Sequence, residues 1–362
     1  MGEFQVRKDN VRECRVDDAT GSTDDPSLAA GAIRVAVERF AFTANNVTYG
    51  VAGDLLGYWQ FFPAHSGDGW GVIPVWGFAE VIESNSDDVP VGERLFGYFP
   101  PATRVDLSPT QVSALRLVDG SAHRSKLPQG YNTYYRVMAE PGYDPASDDL
   151  RMLLWPLHIT SFCLWDVLQD ADWFGADQVV IVSASSKTSI GLAYALDDDA
   201  GAPSVVAVTS ARNLDFVNSL GLYDRSITYD SLAEIDASIP AVIVDMSGNG
   251  AVLGTLHQHL GDNMTRCINV GLTHWDERDA SEGIIKERSE FFFAPAHIQR
   301  RMQEWGPDGF ADRSSSFMGE TALKCSSWLE LNRATGLQGL RDVYLDVCDG
   351  RLDANQGLIV EL

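Results

Sequence analysis

Apolar runs at regular intervals in the middle of the chain predict a parallel sheet. A strand buried on both faces reads as an unbroken apolar run. Two such runs occur, at residues 179–182 and 205–208, and two mostly apolar runs follow at 241–245 and 267–270. Helical spacing of apolar residues follows the first three runs, at residues 190–196, 214–220 and 251–260. This alternation of strand and helix predicts an α/β fold with a doubly wound parallel sheet.

The N-terminal part of the chain has a different pattern. Residues 33–40 alternate between apolar and polar, as a half-buried strand does. Residues 70–82 and 92–99 give further strands punctuated by Gly and Pro, whereas 103–150 hold few clear periodic runs. Residues 16–26 are polar and predict a loop. Together these segments predict a small, barrel-like, β-rich domain.

The segments on either side of the parallel sheet also have predicted elements. Before the sheet, the apolar spacing of residues 157–168 predicts a helix. Residues 328–331 and 340–347 also predict helices, and 358–362 predict a last strand. A chain of 362 residues suits two domains. We expect a cofactor-binding domain at 156–300 and a substrate and catalytic domain formed by 1–155 with 301–362.

Small residues fill the turn between the first buried strand and its helix. Dinucleotide-binding turns use glycines for a tight bend, for close approach of the pyrophosphate and for helix packing. Ser185, Ser186 and Ser189 lie near those positions, and Lys187 and Thr188 lie between them. Their hydroxyl and ammonium groups, with the N–H groups of the helix start, suit a phosphate. The alternative is a plain serine N-cap.

The end of the second buried strand bears on the choice of nucleotide. NAD sites normally place Asp or Glu there to hold the ribose hydroxyls. No acid occurs between residues 203 and 213, where Ser210 and Arg212 stand instead. A hydroxyl and a guanidinium suit a 2′-phosphate, so the pattern favours NADP(H). The alternative is that Arg212 is a solvated residue at a helix start.

Several segments, in order, resemble the medium-chain dehydrogenase/reductase superfamily. They are residues 34–49 with an Asn-containing turn, Val-Pro-Val-Gly-Glu-Arg-Leu-Phe-Gly at 89–97, Ser-Leu-Gly at 219–221, Ser-Ile-Thr-Tyr at 226–229, Val-Asp-Met-Ser-Gly at 244–248 and Ile-Asn-Val-Gly at 268–271. The closer likeness is to its zinc-independent quinone oxidoreductase and enoyl reductase branch. Within that branch, residues 30–362 look most like a DUF2855-type family.

The resemblance implies a GroES-like β-rich domain, a Rossmann domain, an NADP(H) cofactor and a homodimer. It also implies that Thr160, Tyr229, Ser247 and Gly271 lie in cofactor-binding segments, although Thr160 has the alternative of a helix start. Zinc-dependent relatives need Cys or His early in the chain and a Gly-His-Glu motif. Residues 45–49 and 74–77 stand at those places without a zinc ligand, so we expect no metal.

In the resembling enoyl reductases, a tyrosine of the N-terminal domain can donate the proton. Tyr49 and Tyr58 are therefore the catalytic candidates, and Asn46, Trp59 and Phe62 the substrate-binding ones. The dense aromatic run at 55–63 suits a small apolar or aromatic carbonyl-containing substrate; the alternative is core packing between the domains. His158 and His274 are further candidate acids, but a single His is more often a structural residue.

Composition limits the partners. The formal net charge of −24 and the pI near 4.5 predict repulsion from nucleic acid and from anionic membranes, or simply high solubility. Five dispersed cysteines without a Cys-x-x-Cys pair argue against a disulfide framework and for a reducing, cytoplasmic location. The first ten residues do not resemble a signal peptide, and no run of about 18 apolar residues predicts a membrane span.

Two functions remain open from the sequence. The first is an NADPH-dependent, zinc-independent oxidoreductase that transfers hydride to a conjugated enone or enoyl group, a quinone or a ketone. The second is a non-redox protein on the same scaffold, with the cofactor lost or merely structural, that binds a small ligand or catalyses another reaction. Lys187 in the phosphate turn and the crowded aromatic run keep the second function open.

Overall fold

The computed structural model describes residues 2–18, 27–67, 69–270 and 283–362. Gly271 and His274, two residues of interest from the sequence, lie outside this part of the chain. The fold divides into two compact units. The first contains Met1–Leu153 and Leu329–Leu362, and the second contains Leu154–Trp328. Residues 301–328 thus fall in the second unit, whereas the sequence grouped them with 1–155.

Strands predominate in the first unit, whereas strands and helices alternate in the second. The strands are β1 (Gly2–Arg7), β2 (Cys14–Asp18), β3 (Ile33–Phe42), β4 (Trp70–Gly71), β5 (Val75–Ser84), β6 (Arg94–Phe99), β7 (Arg104–Leu107), β8 (Pro109–Thr110), β9 (Arg116–Asp119), β10 (Thr133–Arg136), β11 (Gln178–Val182), β12 (Ser204–Thr209), β13 (Arg225–Thr228), β14 (Ala241–Asp245), β15 (Met264–Asn269), β16 (Ser289–Phe291), β17 (Glu330–Thr335) and β18 (Gln356–Glu361). The α-helices are α1 (Ala44–Val51), α2 (Asp148–Asp170), α3 (Lys187–Asp197), α4 (Leu214–Ser219), α5 (Gly250–Leu260), α6 (Ala294–Cys325) and α7 (Gly336–Cys348).

A mostly antiparallel sheet organises the first unit. Its order is β17-β18-β3-β5-β6-β10-β9-β8, and β7 also pairs with β3. A second, smaller sheet has the order β2-β1-β4. Helix α7 packs on β1 and β2, where the Tyr344 hydroxyl donates to the Val11 carbonyl oxygen at 2.7 Å. The β-rich domain predicted from the sequence is confirmed, with its last strand at the C-terminal end.

Two local predictions in this unit are wrong. Residues 328–331 were expected to be helical, but Glu330 begins β17, which pairs in parallel with β18. This edge strand is largely exposed and carries polar residues, so it lacks the apolar signature of a buried strand. Residues 16–18, expected in a loop, belong to β2 because pairing with β1 orders a polar, half-buried segment.

The second unit is built on a six-stranded parallel sheet of order β13-β12-β11-β14-β15-β16. Alternate residues of the central strands point to opposite faces. Val179 and Ile181 join Leu168 of α2 and Leu192 of α3 in one core cluster. Val180 joins the other cluster with residues of α5. Helices therefore cover both faces of the sheet, which is the predicted doubly wound Rossmann arrangement.

A buried ion network joins α2 to α6 in this unit. Arg301 donates to both carboxylate oxygens of Asp166, with Nε at 2.6 Å and Nη2 at 3.1 Å. His297 Nε2 lies 2.6 Å from the same carboxylate. Desolvating charges is costly unless they are paired and hydrogen-bonded, and this arrangement meets both conditions.

Among the described residues, no helix is both long enough and apolar enough to cross a membrane.

Candidate functional site

The turn between β11 and α3 has a glycine-like backbone without glycine. Ser183, the first residue after β11, has φ of 65°, in the left-handed region that side chains normally avoid. The next residue, Ala184, donates its N–H to the Val208 carbonyl oxygen of β12 at 3.0 Å. The tight bend needed at a nucleotide turn is therefore present, and Ser183 makes it.

Hydroxyl groups stabilise the turn from within. Ser186 is the N-cap of α3, and its Oγ accepts from the Ser189 N–H at 3.1 Å. The same hydroxyl donates to Ser189 Oγ at 2.8 Å, and Ser189 Oγ donates to the Ser183 carbonyl oxygen at 2.9 Å. The N-cap interpretation is thus correct for Ser186. Phosphate binding by Ser185, Ser186 and Ser189 stays a prediction.

Lys187, in the first turn of α3, lies in a low-dielectric environment. Burial lowers the pKa of Lys187 to about 8, although the nearby Cys325 thiol opposes this. Burial also lowers the pKa of the neighbouring His158 to about 3, so this imidazole is neutral. Its Nδ1 lies 2.7 Å from the Thr321 hydroxyl. His158 is therefore a structural residue of the packed helices.

Close approach of α2 and α3 depends on Gly191. An added Cβ there would lie 2.5 Å from Ser161 Oγ and 2.8 Å from His158 Cδ2. Ser161 Oγ also donates to the Thr188 carbonyl oxygen at 2.7 Å, which holds the first turn of α3 against α2. Gly191 therefore allows the close helix packing that a glycine of the fingerprint usually allows. Ser189, which lies nearer the turn, is fully buried.

The end of β12 lies beside the phosphate turn. Ser210 begins the short 3₁₀ turn Ala211–Asn213, in which Arg212 is exposed. Asn213 Nδ2 donates to Ser185 Oγ at 2.9 Å, so the two loops are joined directly. Asn213 was not among the candidate residues predicted from the sequence. Its only signal was its position three residues after Ser210.

Further polar groups gather at the same carboxyl edge of the sheet. Tyr229 hydrogen-bonds to Ser183, yet burial is the larger effect and raises the pKa of Tyr229. Tyr223, which was not predicted from the sequence either, donates to the Ala184 carbonyl oxygen at 2.8 Å. Ser247 Oγ donates to Asp245 Oδ1 at 2.7 Å and shapes the turn after β14. The structure thus brings Tyr229 to the phosphate turn.

Thr160 does not start a helix. It lies well inside α2, half-buried, and its hydroxyl is 3.5 Å from the Pro156 carbonyl oxygen. The helix-start alternative for Thr160 is therefore wrong, because α2 begins at Asp148. Its assignment to the cofactor stays a prediction.

In the first unit, Tyr49 and Tyr58 belong to one aromatic cluster. Their ring centroids are 4.5 Å apart. The Tyr58 hydroxyl is 3.0 Å from the Tyr131 hydroxyl, and Asn45 Nδ2 donates to the Tyr49 hydroxyl at 2.8 Å. Burial raises the pKa of Tyr49 and of Tyr58, so both are neutral phenols that carry a proton. Tyr131 gave no sequence signal because it lies in the stretch without clear periodicity.

The three predicted substrate contacts have structural partners in the first unit. Asn46 Oδ1 accepts from the Thr43 N–H at 2.8 Å, and Asn46 Nδ2 donates to the Pro74 carbonyl oxygen at 2.9 Å. Trp59 packs on Gly71, where an added Cβ would lie 2.6 Å from the indole. Phe62 stacks under the Arg124 guanidinium at 4.4 Å. Each of the three residues therefore has packing or hydrogen-bond partners inside its own unit.

The described residues include no cluster of side chains suited to a metal ion. Within residues 2–18, 27–67, 69–270 and 283–362, no group of three His, Cys, Asp or Glu side chains is placed to hold a metal ion. The five cysteines are all unpaired with one another, and Cys163, Cys267 and Cys325 are buried.

Solved structures share this fold along the whole chain. CurA from Vibrio vulnificus in complex with NADPH has a TM-score of 0.64 at 12% identity, with 100% of this chain and 99% of that chain covered. A putative NADPH:quinone reductase from Bacillus thuringiensis has a TM-score of 0.58 at 13% identity, with 100% and 98% covered. The yhdH oxidoreductase from Salmonella enterica in complex with NADP has 0.52 at 13%, with 100% of both chains covered.

The two units therefore have the fold of these structures, a GroES-like β-rich domain and a Rossmann domain with a parallel sheet. The chain belongs to the family described as protein of unknown function DUF2855, whose model matches residues 40–353. Comparison with curated protein sequences gives no significant match. The resemblance found in the sequence is thus confirmed at the level of family and fold.

Proposed function

We propose that this protein is an NADPH-dependent, zinc-independent reductase of a small carbonyl-containing substrate. The observation that carries the proposal is the joined pair of loops at the carboxyl edge of the parallel sheet. Asn213, beside Arg212, hydrogen-bonds to Ser185 in the phosphate turn. Nucleotides bind at this edge in open α/β sheets, and the loop after β12 offers a cation and hydroxyls but no carboxylate.

The residues present fit a bound NADPH. The N-terminal end of α3, where the helix dipole is positive, suits the pyrophosphate, beside Ser185, Ser186, Lys187, Thr188 and Ser189. Ser210 and Arg212 suit the 2′-phosphate. Thr160, Tyr229, Ser247 and Gly271 are assigned to the remaining cofactor contacts. When bound, NADPH supplies a hydride.

The first unit contributes the proton and the substrate contacts in this proposal. A neutral phenol, Tyr58 or Tyr49, donates to the substrate oxygen that becomes more negative during reduction. The aromatic cluster around them suits a planar, conjugated or aromatic substrate, such as an enone, an enoyl group, a quinone or an aromatic ketone. Asn46, Trp59 and Phe62 shape this surface from behind, since each is buried and has its own partners.

One observation favours the alternative of a non-redox protein on the same scaffold. The hydroxyls of Ser186 and Ser189 bond to each other, and desolvation lowers the pKa of the half-buried Lys187. A turn that satisfies its own polar groups has less to offer a phosphate. The alternative predicts a ligand site in the aromatic cluster without nucleotide affinity.

Fluorescence titration with NADPH and with NADH distinguishes the two functions. We expect NADPH to bind more tightly, and Arg212→Ala to weaken NADPH binding about 10-fold or more, as loss of a charge-assisted contact does. NADH binding should hardly change. Arg225→Ala is the matched control, because Arg225 lies at the opposite edge of the same sheet, at the start of β13, and pairs with Glu234.

Each outcome is informative. Tight NADPH binding that depends on Arg212 and not on Arg225 supports the reductase and justifies a screen of enones, quinones and ketones for NADPH oxidation. Absence of binding of either nucleotide to the folded protein contradicts the reductase and favours the ligand-binding alternative.

A further inference from the structure

Three tyrosine hydroxyls in the first unit form a connected chain. The Tyr58 and Tyr131 hydroxyls are 3.0 Å apart. The Tyr131 hydroxyl also interacts with that of Tyr49, and this interaction raises the pKa of Tyr49 and lowers that of Tyr131. The rings of Tyr49 and Tyr131 meet edge to face at 6.4 Å, and those of Tyr58 and Tyr131 at 5.8 Å. Tyr131 is therefore the middle member, between the two tyrosines that the sequence singled out.

The amide of Asn45 gives the chain a direction. Asn45 Nδ2 donates to the Tyr49 hydroxyl at 2.8 Å, which leaves the Tyr49 proton to be donated to Tyr131. Tyr131 can then donate to Tyr58, and the Tyr58 proton is left at the end of the chain. The pKa effects agree: hydrogen bonding to Tyr131 raises the pKa of Tyr49 and lowers that of Tyr58, as expected for a donor and an acceptor.

We propose that Tyr49, Tyr131 and Tyr58 are a proton relay, in which Tyr58 protonates the substrate oxygen and Tyr131 orients and reprotonates Tyr58. This inference rests on the proposed reductase function and assigns the donor role within it. In this proposal Tyr58 is the catalytic residue of the three, because its proton is the one left at the end of the chain. Tyr131 and Tyr49 act through it and are positioning residues.

The relay balances in protons and charge. Reduction of the substrate leaves negative charge on its oxygen, which takes the Tyr58 proton as the Tyr58 O–H bond breaks. The Tyr131 proton then moves to Tyr58, and the Tyr49 proton moves to Tyr131. The negative charge ends on Tyr49, where the Asn45 amide already donates, and a solvent proton restores the phenol. A phenolate that accepts an N–H hydrogen bond is stabilised relative to one that accepts none.

Buried surroundings make this coupling necessary. Burial raises the pKa of Tyr58, so a lone Tyr58 would lose its proton only at high cost. Moving the charge to a hydrogen-bonded partner shortens the time for which an isolated phenolate must exist. Tyr131 is half-buried, and removing its hydroxyl leaves both ring contacts in place.

The first test needs no cofactor. NMR of protein with ¹³Cζ-labelled tyrosine reports the hydrogen bonding of each phenol, with Tyr58 assigned from Tyr58→Phe. We expect Tyr131→Phe to shift the Tyr58 and Tyr49 signals. Tyr344→Phe is the matched control, since it removes one buried hydroxyl that bonds to the Val11 carbonyl oxygen in the same unit. Equal, small shifts in both variants would overturn the chain.

The second test measures NADPH binding and steady-state reduction of the best substrate of the screen. We expect kcat to fall about 100-fold in Tyr58→Phe and about 10-fold in Tyr131→Phe, because general acids contribute about 10²–10⁴ in rate. KM and the NADPH dissociation constant should stay near those of Tyr344→Phe. The relay would be contradicted if Tyr131→Phe lowered kcat but changed neither the pH profile nor the NMR signals of Tyr58 and Tyr49.

The relay and the reductase can fail separately. If the folded protein binds no NADPH, the proposed function is wrong and the relay falls with it. If NADPH binds and reduction proceeds, but Tyr131→Phe matches Tyr344→Phe in kcat, the relay alone is overturned.

Discussion

The side-chain amide of Asn213 and the hydroxyl of Ser185 are joined by a hydrogen bond of 2.9 Å. The bond fixes the loop after β12 against the turn after β11. We expect Asn213→Ala to weaken NADPH binding about 5-fold, the effect of about 1 kcal/mol for one net hydrogen bond. Fluorescence titration measures it.

The control for Asn213 is Ser204→Ala. Ser204 begins β12 at the opposite edge of the sheet, and its hydroxyl donates to the Asp177 carbonyl oxygen at 3.3 Å. It should leave NADPH binding unchanged. Equal affinities for wild type and Asn213→Ala would show that the bond between the loops does not shape the nucleotide site.

Gly191 should be intolerant of a single methyl group. Its Cβ would fall 2.5 Å from Ser161 Oγ and 2.8 Å from His158 Cδ2, in a packed region between α2 and α3. We expect Gly191→Ala to lower the free energy of unfolding by about 1–3 kcal/mol. Urea denaturation followed by circular dichroism measures this.

Gly319→Ala provides the comparison in the same unit. Gly319 lies in α6 with open space where a Cβ would be, so alanine should be neutral or stabilising by up to about 1 kcal/mol. If both variants had the same stability, close packing at Gly191 would not be a constraint on the fold.

Asp166 should make stability depend on acid pH. Burial alone would raise its pKa, but hydrogen bonds from His297 and Arg301 outweigh burial and hold that pKa below the usual 3.8. Its contribution is therefore complete above the unfolded-state pKa and is lost as pH falls toward the folded-state value. Asp166→Asn should lower the free energy of unfolding by about 3 kcal/mol near neutral pH. Below about pH 5, the variant should lose less stability on acidification than the wild type does.

Thermal melts of wild type and Asp166→Asn across that pH range test the expectation. The control is Asp198→Asn, because Asp198 forms an exposed pair with Lys324 of α6. Such pairs contribute at most about 1 kcal/mol. A parallel pH dependence in wild type and Asp166→Asn would mean that another carboxylate governs the acid transition.

Glycine at position 183 should give a more stable protein than alanine at the same position. Both changes remove the hydroxyl that meets Tyr229, but only glycine is relaxed at φ of 65°. We expect Ser183→Gly to be more stable than Ser183→Ala by about 1 kcal/mol, from the cost of the left-handed conformation. Differential scanning calorimetry measures the two. A Ser183→Ala melt at or above that of Ser183→Gly would refute it.

The parallel sheet was predictable because burial on both faces imposes a simple pattern. Residues 179–182 and 205–208 are unbroken apolar runs, and the structure extends each by one residue or two. Strand β17 was not predictable in the same way. It is an exposed edge strand whose pairing with β18 supplies the order that its own composition does not.

The candidate site was predictable where its residues lie close to one another in the sequence. Ser185 and Ser186 lie within four residues of the end of a buried strand, so their place at the sheet edge could be inferred. Asn213 and Tyr131 depend on contacts between segments distant in sequence, which no local pattern encodes. Gly191 shows a related point, since its packing role rests on Ser161 and His158 of a preceding helix.

Pairing of β18 with β3 also determines which unit can be completed first during synthesis. Phe40 and Phe42 of β3 pair with Val360 and Leu358, which are synthesised after the whole of the second unit. At about 5–20 residues per second, β3 waits tens of seconds for this partner. The second unit, Leu154–Trp328, is one continuous segment and is complete before then. Until β18 is synthesised, the edge of β3 that it covers is open to wrong pairing, although every residue of the second unit is already present.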